Sequence, residues 1–465
     1  MTDRITPSQA GRRPLGASLR RSFAALLPPV FLLACGPDIE GAIDDLGDPS
    51  RHDDARQQLL LAKELAVDAL LGALEDPGRS PVRADLVDVL ASMDLRVEDP
   101  RIEAALKEHL VNDPDSRVRA RIAWSAGLHR RRAFLDPLLE SGLSDPHGDV
   151  VHQALIAIDA LDDRMSPEQS DGRFRKTAEL ISHPHPEVAR EARIFLADHA
   201  GALVDEGRAL QIQARVAEAE SLYTRALEIV PGGRYATYRL ARMHFDAGRR
   251  DQGLNMLRRN GMLLDVPRVS GTIVADGRLD EPLWSAAASA SDFWVFVFAH
   301  KAAFPSPVAS EIRLARSDDA LFIGFVGYDE SPDSLVVNTR EEDGQIWWED
   351  VLEIFLDASL DHRSYIHMGV NSIGVRADAS HADGLQSKDM TWDADAEVGA
   401  FVSDDAWSAE VVLRFGEPWL PRPGPGDVWG ANFVRSHRGA DYSQWVRTFV
   451  GGGHAPDEFG FLVFR

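Results

Sequence analysis

The sequence predicts a multidomain chain in which an all-α solenoid precedes an antiparallel β-sandwich, and three observations predict it. A turn, a valine and an Ala-rich helix recur through the first half; nine of the ten tryptophans follow Pro267; and helical periodicity gives way there to period-2 alternation. At 465 residues the chain is too long for one hydrophobic core. A composition of 44% hydrophobic and 27% charged residues is that of a folding chain, and argues against wholesale disorder or many membrane spans. Acidic residues number 74 against 50 basic ones, a formal charge of -24, and such a surface repels a phosphate backbone, so nucleic acid is not expected as a partner. One cysteine rules out an internal disulfide and any multi-thiolate metal site.

That cysteine closes residues 1–35. Arg12, Arg13, Arg20 and Arg21 precede an apolar stretch from Phe23 to Ala34, a charged region and a short hydrophobic region too brief to span a bilayer. Leu32-Leu33-Ala34-Cys35 resembles the lipobox of bacterial lipoprotein signal peptides. The resemblance implies cleavage before Cys35 and its lipidation. Each buried CH2 of an acyl chain contributes about 0.8 kcal/mol, so several chains anchor where one does not. The expectation is an exported lipoprotein held at a membrane, periplasmic or at the cell surface.

Residues 36–200 repeat. Asp76-Pro77, Asp113-Pro114, Asp145-Pro146 and His183-Pro184 each precede a valine, and Val82, Val118, Val150 and Val188 lie 36, 32 and 38 residues apart. Proline suits the turn or the first helical position, and stripes such as Val118, Ile122, Ala123 and Ala126 make helices that bury a face only against neighbours. These stretches resemble HEAT-type repeats. His183 and His185 read as solvated turn residues. Across residues 201–265, Gly207, Ala219, Tyr223, Ala226 and Pro231 match the offsets of a tetratricopeptide unit, continued more weakly by Leu240, Ala241, Gly253 and Leu257. Such arrays act as spacers or as surfaces for protein partners.

Residues 266–465 alternate. Ser310 to Leu314, Leu321 to Val326, Val351 to Leu356, Tyr365 to Asn371, Trp407 to Leu413 and Gly430 to Val434 read as strands between Gly, Asp, Asn and Pro turns. Leu352, Ile354 and Leu356 face the core, which puts Val351, Glu353 and Phe355 on the other face; extended back without a bulge, Trp347 joins Glu353 and Trp348 joins the core. Trp284, Trp407 and Trp429 read as packing residues.

Asp276-Gly277-Arg278-Leu279-Asp280-Glu281-Pro282-Leu283-Trp284, Trp347-Trp348-Glu349-Asp350-Val351-Leu352-Glu353-Ile354-Phe355-Leu356-Asp357 and Val370-Asn371 with Gly374 together resemble family 9 carbohydrate-binding modules. Trp407-Ser408-Ala409-Glu410, Gly430 to Arg435, Ser443-Gln444-Trp445 and Phe459-Gly460 extend the match over the whole segment. The resemblance implies a β-sandwich that binds poly- or oligosaccharide chain ends between two facing tryptophans, Trp347 and Trp445, with Asn432 and Arg435 as a polar wall. Calcium is a structural ion in some members, and Asp329, Asp333, Asp357 and Asp361 are the loop carboxylates that could hold it here. A sugar has an apolar C–H face ringed by hydroxyls, so aromatic plates and a few polar groups suit it; Glu353 is the best hydroxyl acceptor. The chain departs from the family in carrying Gly369 where an arginine often stands, with His367 on the same face and Arg435 or Arg376 as substitutes for the missing donor.

Catalytic signatures are absent: no nucleophile elbow, Walker loop, zincin helix or dinucleotide fingerprint appears, and Gly451-Gly452-Gly453-His454 reads as a flexible loop. The expectation is a binding protein, not an enzyme. Two rivals are a protein scaffold whose β domain no longer binds sugar, and a haem b sandwich with Met368 and Lys388 as axial ligands.

Overall fold

In the computed structural model, which describes residues 37–97, 99–297, 299–449 and 452–465, the Asp-Pro and His-Pro pairs of the repeat pattern lie in the turns before helices. The signal-like segment with Cys35 lies outside the described residues. Two compact units divide the chain between Ala105 and Leu106. The first holds α1 (Ile39–Asp45), α2 (His52–Ala62), α3 (Val67–Glu75), α4 (Arg83–Met93) and the start of α5 (Pro100–Asn112). Asp38 caps α1 by accepting the Gly41 N–H at 2.9 Å. Asp76 does the same for Gly78 at 2.8 Å, with Pro77 starting the turn that leads to buried Val82.

In the second unit, α6 (Ser116–Leu128), α7 (Leu135–Glu140), α8 (Gly148–Asp159), α9 (Pro167–Glu179) and α10 (Pro186–Ile212) follow. Val118, Val150 and Val188 are fully buried in the first turns of α6, α8 and α10. The buried Arg119 guanidinium joins successive turns, reaching Asp145 at 2.7 and 2.9 Å and the Asp113 carbonyl at 2.6 Å. The expected division at 200/201 falls inside α10. That helix runs 27 residues, about 40 Å at the α-helical rise, because its buried stripe of Ala192, Leu196, Ala200 and Val204 continues across the position. Next come α11 (Val216–Ile229), α12 (Arg234–Asp246) and α13 (Arg250–Arg259). Gly207 lets α10 and α11 close up: a Cβ there would stand 2.6 Å from the Tyr223 ring. Among the described residues no helix is long and apolar enough to cross a membrane.

The β domain is two sheets. One joins β4 (Ser310–Arg316) and β5 (Ala320–Tyr328) to β2 (Ala288–Ala290), β10 (Ala396–Val402) and β11 (Ala406–Arg414), in the order β10-β11-β5-β4-β2. The other runs from β1 (Leu263–Val266) through β14 (Gly460–Phe464), β12 (Val428–His437), β6 (Val351–Asp357), β7 (Tyr365–Asn371) and β8 (Arg376–His381) to β9 (Lys388–Asp389); β13 (Asp441–Gln444) bridges β12 to β3 (Trp294–Val295). The six strands read from alternation are β4, β5, β6, β7, β11 and β12. Leu352, Ile354 and Leu356 meet Ile312, Ile323 and Trp407 in one apolar cluster between the sheets. Trp284, Trp407 and Trp429 are all buried.

Helices and sheets share that core, so the expected boundary at 265/266 is displaced. β1 pairs in parallel with β14 (Leu263 beside Phe461), and Tyr238, Ala241, Leu254 and Leu257 of α12 and α13 belong to the sandwich interior. A polar seam reinforces it. Tyr238 donates its O–H to the Phe459 carbonyl at 2.7 Å, and Arg239 meets Glu458 at 2.5 Å. Both partners are buried. Removing one charge of a buried pair costs about 3–5 kcal/mol, so Arg239→Met should lower β-domain stability by roughly that amount. Urea denaturation followed by tryptophan fluorescence measures it, and an unmoved midpoint would show that the seam does not hold the two parts together.

Candidate functional site

Strand register decides what the outer face of the larger sheet carries. Phe355 pairs with His367 and Glu353 with Gly369 across β6 and β7; Tyr365 pairs with His381 and His367 with Ala379 across β7 and β8. Directly opposed residues share a face. Since Ile354, Ile366 and Met368 fill the core, Glu353, Phe355, Tyr365, His367 and His381 all point outward.

Rings fill this face. His367 lies between Phe355 (centroids 4.2 Å, planes 8° apart) and Trp347 (4.4 Å, 29°), and Tyr365 stacks on His381 (4.4 Å, 8°). Trp347 lies over Gly369, where a Cβ would come 2.7 Å from the indole and 2.9 Å from Ile346. Gly369 therefore has no room for a side chain, because the indole and Ile346 occupy the space. Lys388 places its ammonium 5.3 Å from the indole centroid. A fourth side, at His454, comes from the loop after Gly452; its ring meets Phe355 edge-on at 5.2 Å.

Each imidazole has one nitrogen engaged. His367 Nε2 is 2.9 Å from Glu353 Oε2, His454 Nδ1 is 2.8 Å from the Tyr365 hydroxyl, and His381 Nδ1 is 3.3 Å from the Gly384 carbonyl. The other nitrogens of His367 and His381 are buried and make no hydrogen bond. Burial, aided by nearby Lys388, pushes His367 down to about 3; burial also lowers His381 to about 4 and His454 to about 3. The three rings are therefore neutral at pH 7. Burial raises Glu353 to about 7 against the pull of His454 and Lys388.

The residues expected to hold sugar part company here. Trp347, Glu353 and His367 come together, with Trp347 half-buried. Trp445 does not join them: its ring is fully buried and packs on Phe433, 5.7 Å away. The reason is local, since the Trp445 N–H bonds the Phe433 carbonyl and the indole drops into a space that Gly460 leaves open. Arg435 pairs with Leu352 and so points between the sheets, where it donates to the Ala309 and Tyr328 carbonyls at 2.7 and 2.9 Å. Asn432 is also fully buried, bracing the backbone of Val446 through both side-chain atoms at 2.9 and 3.0 Å. Arg376 donates to the carbonyls of Ala394 and Ala396. Trp347 and Trp445 do not face one another.

Trp348, expected in the core, is 69% exposed. A 3-10 turn over Ile346–Trp348 interrupts the extended backbone and buries Ile346 instead. Among the described residues the four expected calcium carboxylates are not gathered in one cluster. Asp329 accepts from Arg438 and the Ser331 N–H, Asp357 from the His362 N–H and the Ser359 hydroxyl, Asp361 from the Arg363 and Ser364 N–H groups, and Asp333 is exposed. Met368 lies in the core while Lys388 covers Trp347 on the outer face, so a sheet separates the two expected haem ligands.

His381, His454, Tyr365 and Phe355 were missed as site residues. A signal existed for His381: a hairpin turning through Ser372-Ile373-Gly374 places it opposite Tyr365 and diagonal to His367. Nothing local marks His454, which reaches the face only through the loop.

No family model matches the chain, and no curated protein matches it. Among solved structures it is similar to a family 9 carbohydrate-binding module from Caldicellulosiruptor kristjanssonii in complex with cellotriose, at 17% identity over 44% of this chain and 93% of that one, with a TM-score of 0.32. The same kind of module from that organism in complex with glucose gives 16% identity, 43% and 95% coverage, and a TM-score of 0.32. The YibA protein of Escherichia coli gives 17% identity, 48% and 75% coverage, and a TM-score of 0.29. At these scores the likenesses carry no argument about function; the residues must.

Two substitutions separate site from core. Gly369→Ala should destabilise the fold by about 1–3 kcal/mol, as overpacking against a fixed ring does, and release Trp347, seen as a lower denaturation midpoint with a shifted tryptophan emission. Trp445→Ala should cost about 3–5 kcal/mol as a core truncation; a near-neutral result in the same denaturation assay would place that indole outside the core.

Proposed function

We propose that the chain is a non-catalytic binding protein, exported and held at a membrane through Cys35, whose β domain takes the end of a poly- or oligosaccharide on the outer face of β6, β7 and β8. One observation carries the reading: the half-buried Trp347 indole is fixed by His367 and Gly369 beside the carboxyl of Glu353 and the ammonium of Lys388. A pyranose packs its C–H face on such a plate and needs few polar groups to orient it. The sugar takes the indole surface that Lys388 covers, the flexible lysine stem swings aside, and its ammonium donates to a hydroxyl. Glu353, with a pKa raised to about 7, accepts from a hydroxyl when ionised. This is a single platform, not the two facing plates that the resemblance to family 9 modules implies; that resemblance supports only saccharide as the class of ligand. The helical region serves as scaffold or spacer.

A second reading, a protein scaffold that acts through its helices, is favoured by one fact. Trp445, Asn432 and Arg435, half of the expected sugar-binding set, are buried in internal contacts.

Calorimetric titration of the full chain with xylo- and cello-oligosaccharides tests the choice. The saccharide reading expects binding that Trp347→Ala weakens about tenfold or more, a loss of at least ~1.4 kcal/mol, while circular dichroism stays unchanged. Silence from the folded natural chain across both series would leave the scaffold.

A further inference from the structure

The outer face holds a group of atoms that saccharide binding does not use. One ring nitrogen from each of His367, His381 and His454 lies within 4.8 Å of the other two. For His381 the tautomer is settled by its neighbour: a carbonyl only accepts, so Nδ1–H donates to Gly384 and the Nε2 lone pair faces inward. That Nε2 is buried with no hydrogen-bond partner, and so is His367 Nδ1. The residues carrying them are 0% and 2% exposed. Buried polar atoms in proteins are nearly always satisfied. Two that converge with a third imidazole and remain unsatisfied mark a place built for something that accepts lone pairs.

We propose that His367, His381 and His454 form a binding site for a divalent transition metal of the zinc type. Three neutral imidazoles are the donor set that borderline ions prefer, whereas calcium and magnesium take oxygen ligands. Each ring also has the outer partner that ligating histidines ordinarily possess, which holds the ring and directs the free lone pair inward. With the inward nitrogens ligating, Glu353 would accept the Nε2–H of His367 and the Tyr365 oxygen the Nδ1–H of His454, as the Gly384 carbonyl accepts from His381. The loop is shaped for delivery: Gly453 rides on the Phe355 ring, where a Cβ would stand 2.7 Å away, and His454 follows directly. Three protein ligands leave a fourth position for water or a ligand oxygen, as in open zinc sites. The inference goes beyond the saccharide reading and does not rest on it.

The test uses the full chain, stripped with a chelator, dialysed, and titrated with zinc(II) and separately with cobalt(II), without sugar. The site predicts uptake of one metal per chain, insensitive to excess calcium, and a visible d–d absorption from bound cobalt of the intensity given by four-coordinate sites. His454→Ala, on the partly exposed loop, should weaken uptake strongly while leaving the far-ultraviolet circular dichroism unchanged. Glu353→Gln should weaken it about 10- to 100-fold, the usual effect of losing an outer partner. His152→Ala, in a separate cluster with Glu187 and Glu191 on the helices, should change nothing. No stoichiometric uptake by the folded natural chain would overturn the proposal. So would uptake that survives His454→Ala, or that disappears with His152→Ala.

Discussion

Antiparallel pairing of β6 with β7 is the constraint on which the rest depends. Leu352, Ile354 and Leu356 on one strand and Ile366, Met368 and Val370 on the other must face the opposing sheet to close the core. With a side-chain period of two, that requirement throws Glu353, Phe355, Tyr365 and His367 onto the opposite face. A slip of one residue would bury the carboxyl and imidazole between the sheets and expose the aliphatic row. The hairpin through Gly374 then adds His381 beside Tyr365. The polar outer face is thus a by-product of core formation, made permanent by it.

Such a face is unusual in being covered as well. Phe355 and Tyr365 are almost wholly buried, because His367, His381, the loop bearing His454 and the segment ending in Phe459 pack on them. That roof desolvates the imidazoles and Glu353 together, drawing one pKa up and three down. It is carried partly by the helices, since Asp457 and Glu458 are held by Arg208 and Arg239 at 2.5 Å each, and Tyr238 bonds the Phe459 carbonyl. Helices α10 and α12 therefore fix the segment that follows His454.

Much of this was legible in the chain and some was not, for reasons that can be named. Alternation located six strands and assigned the inward row of β6 correctly, because apolar residues at period two have one way to meet a core. The same logic failed at Trp348, where a 3-10 turn breaks the parity, and at Trp445, where the cavity above Gly460 decides the outcome. Family likeness placed Asn432 and Arg435 at a wall; register places Arg435 between the sheets, and a bond to the Val446 backbone buries Asn432. Boundaries at 200/201 and 265/266 were misplaced because repeat signatures mark helices, while cores ignore them: α10 continues its apolar stripe, and β1 joins the sheet before Pro267. His454 was invisible, since its position depends on tertiary closure of a glycine loop.

The central claim is that this outer face, not a cleft between indoles, is where the protein meets its ligands, with the imidazole cluster at its centre. A zinc-edge anomalous difference map from crystals of the full chain grown with zinc(II) tests it most directly. The account predicts one dominant peak among the rings of His367, His381 and His454, with the three imidazoles as its protein ligands. A map empty at that place, with peaks only at surface carboxylates or at His152 on the helices, would contradict it.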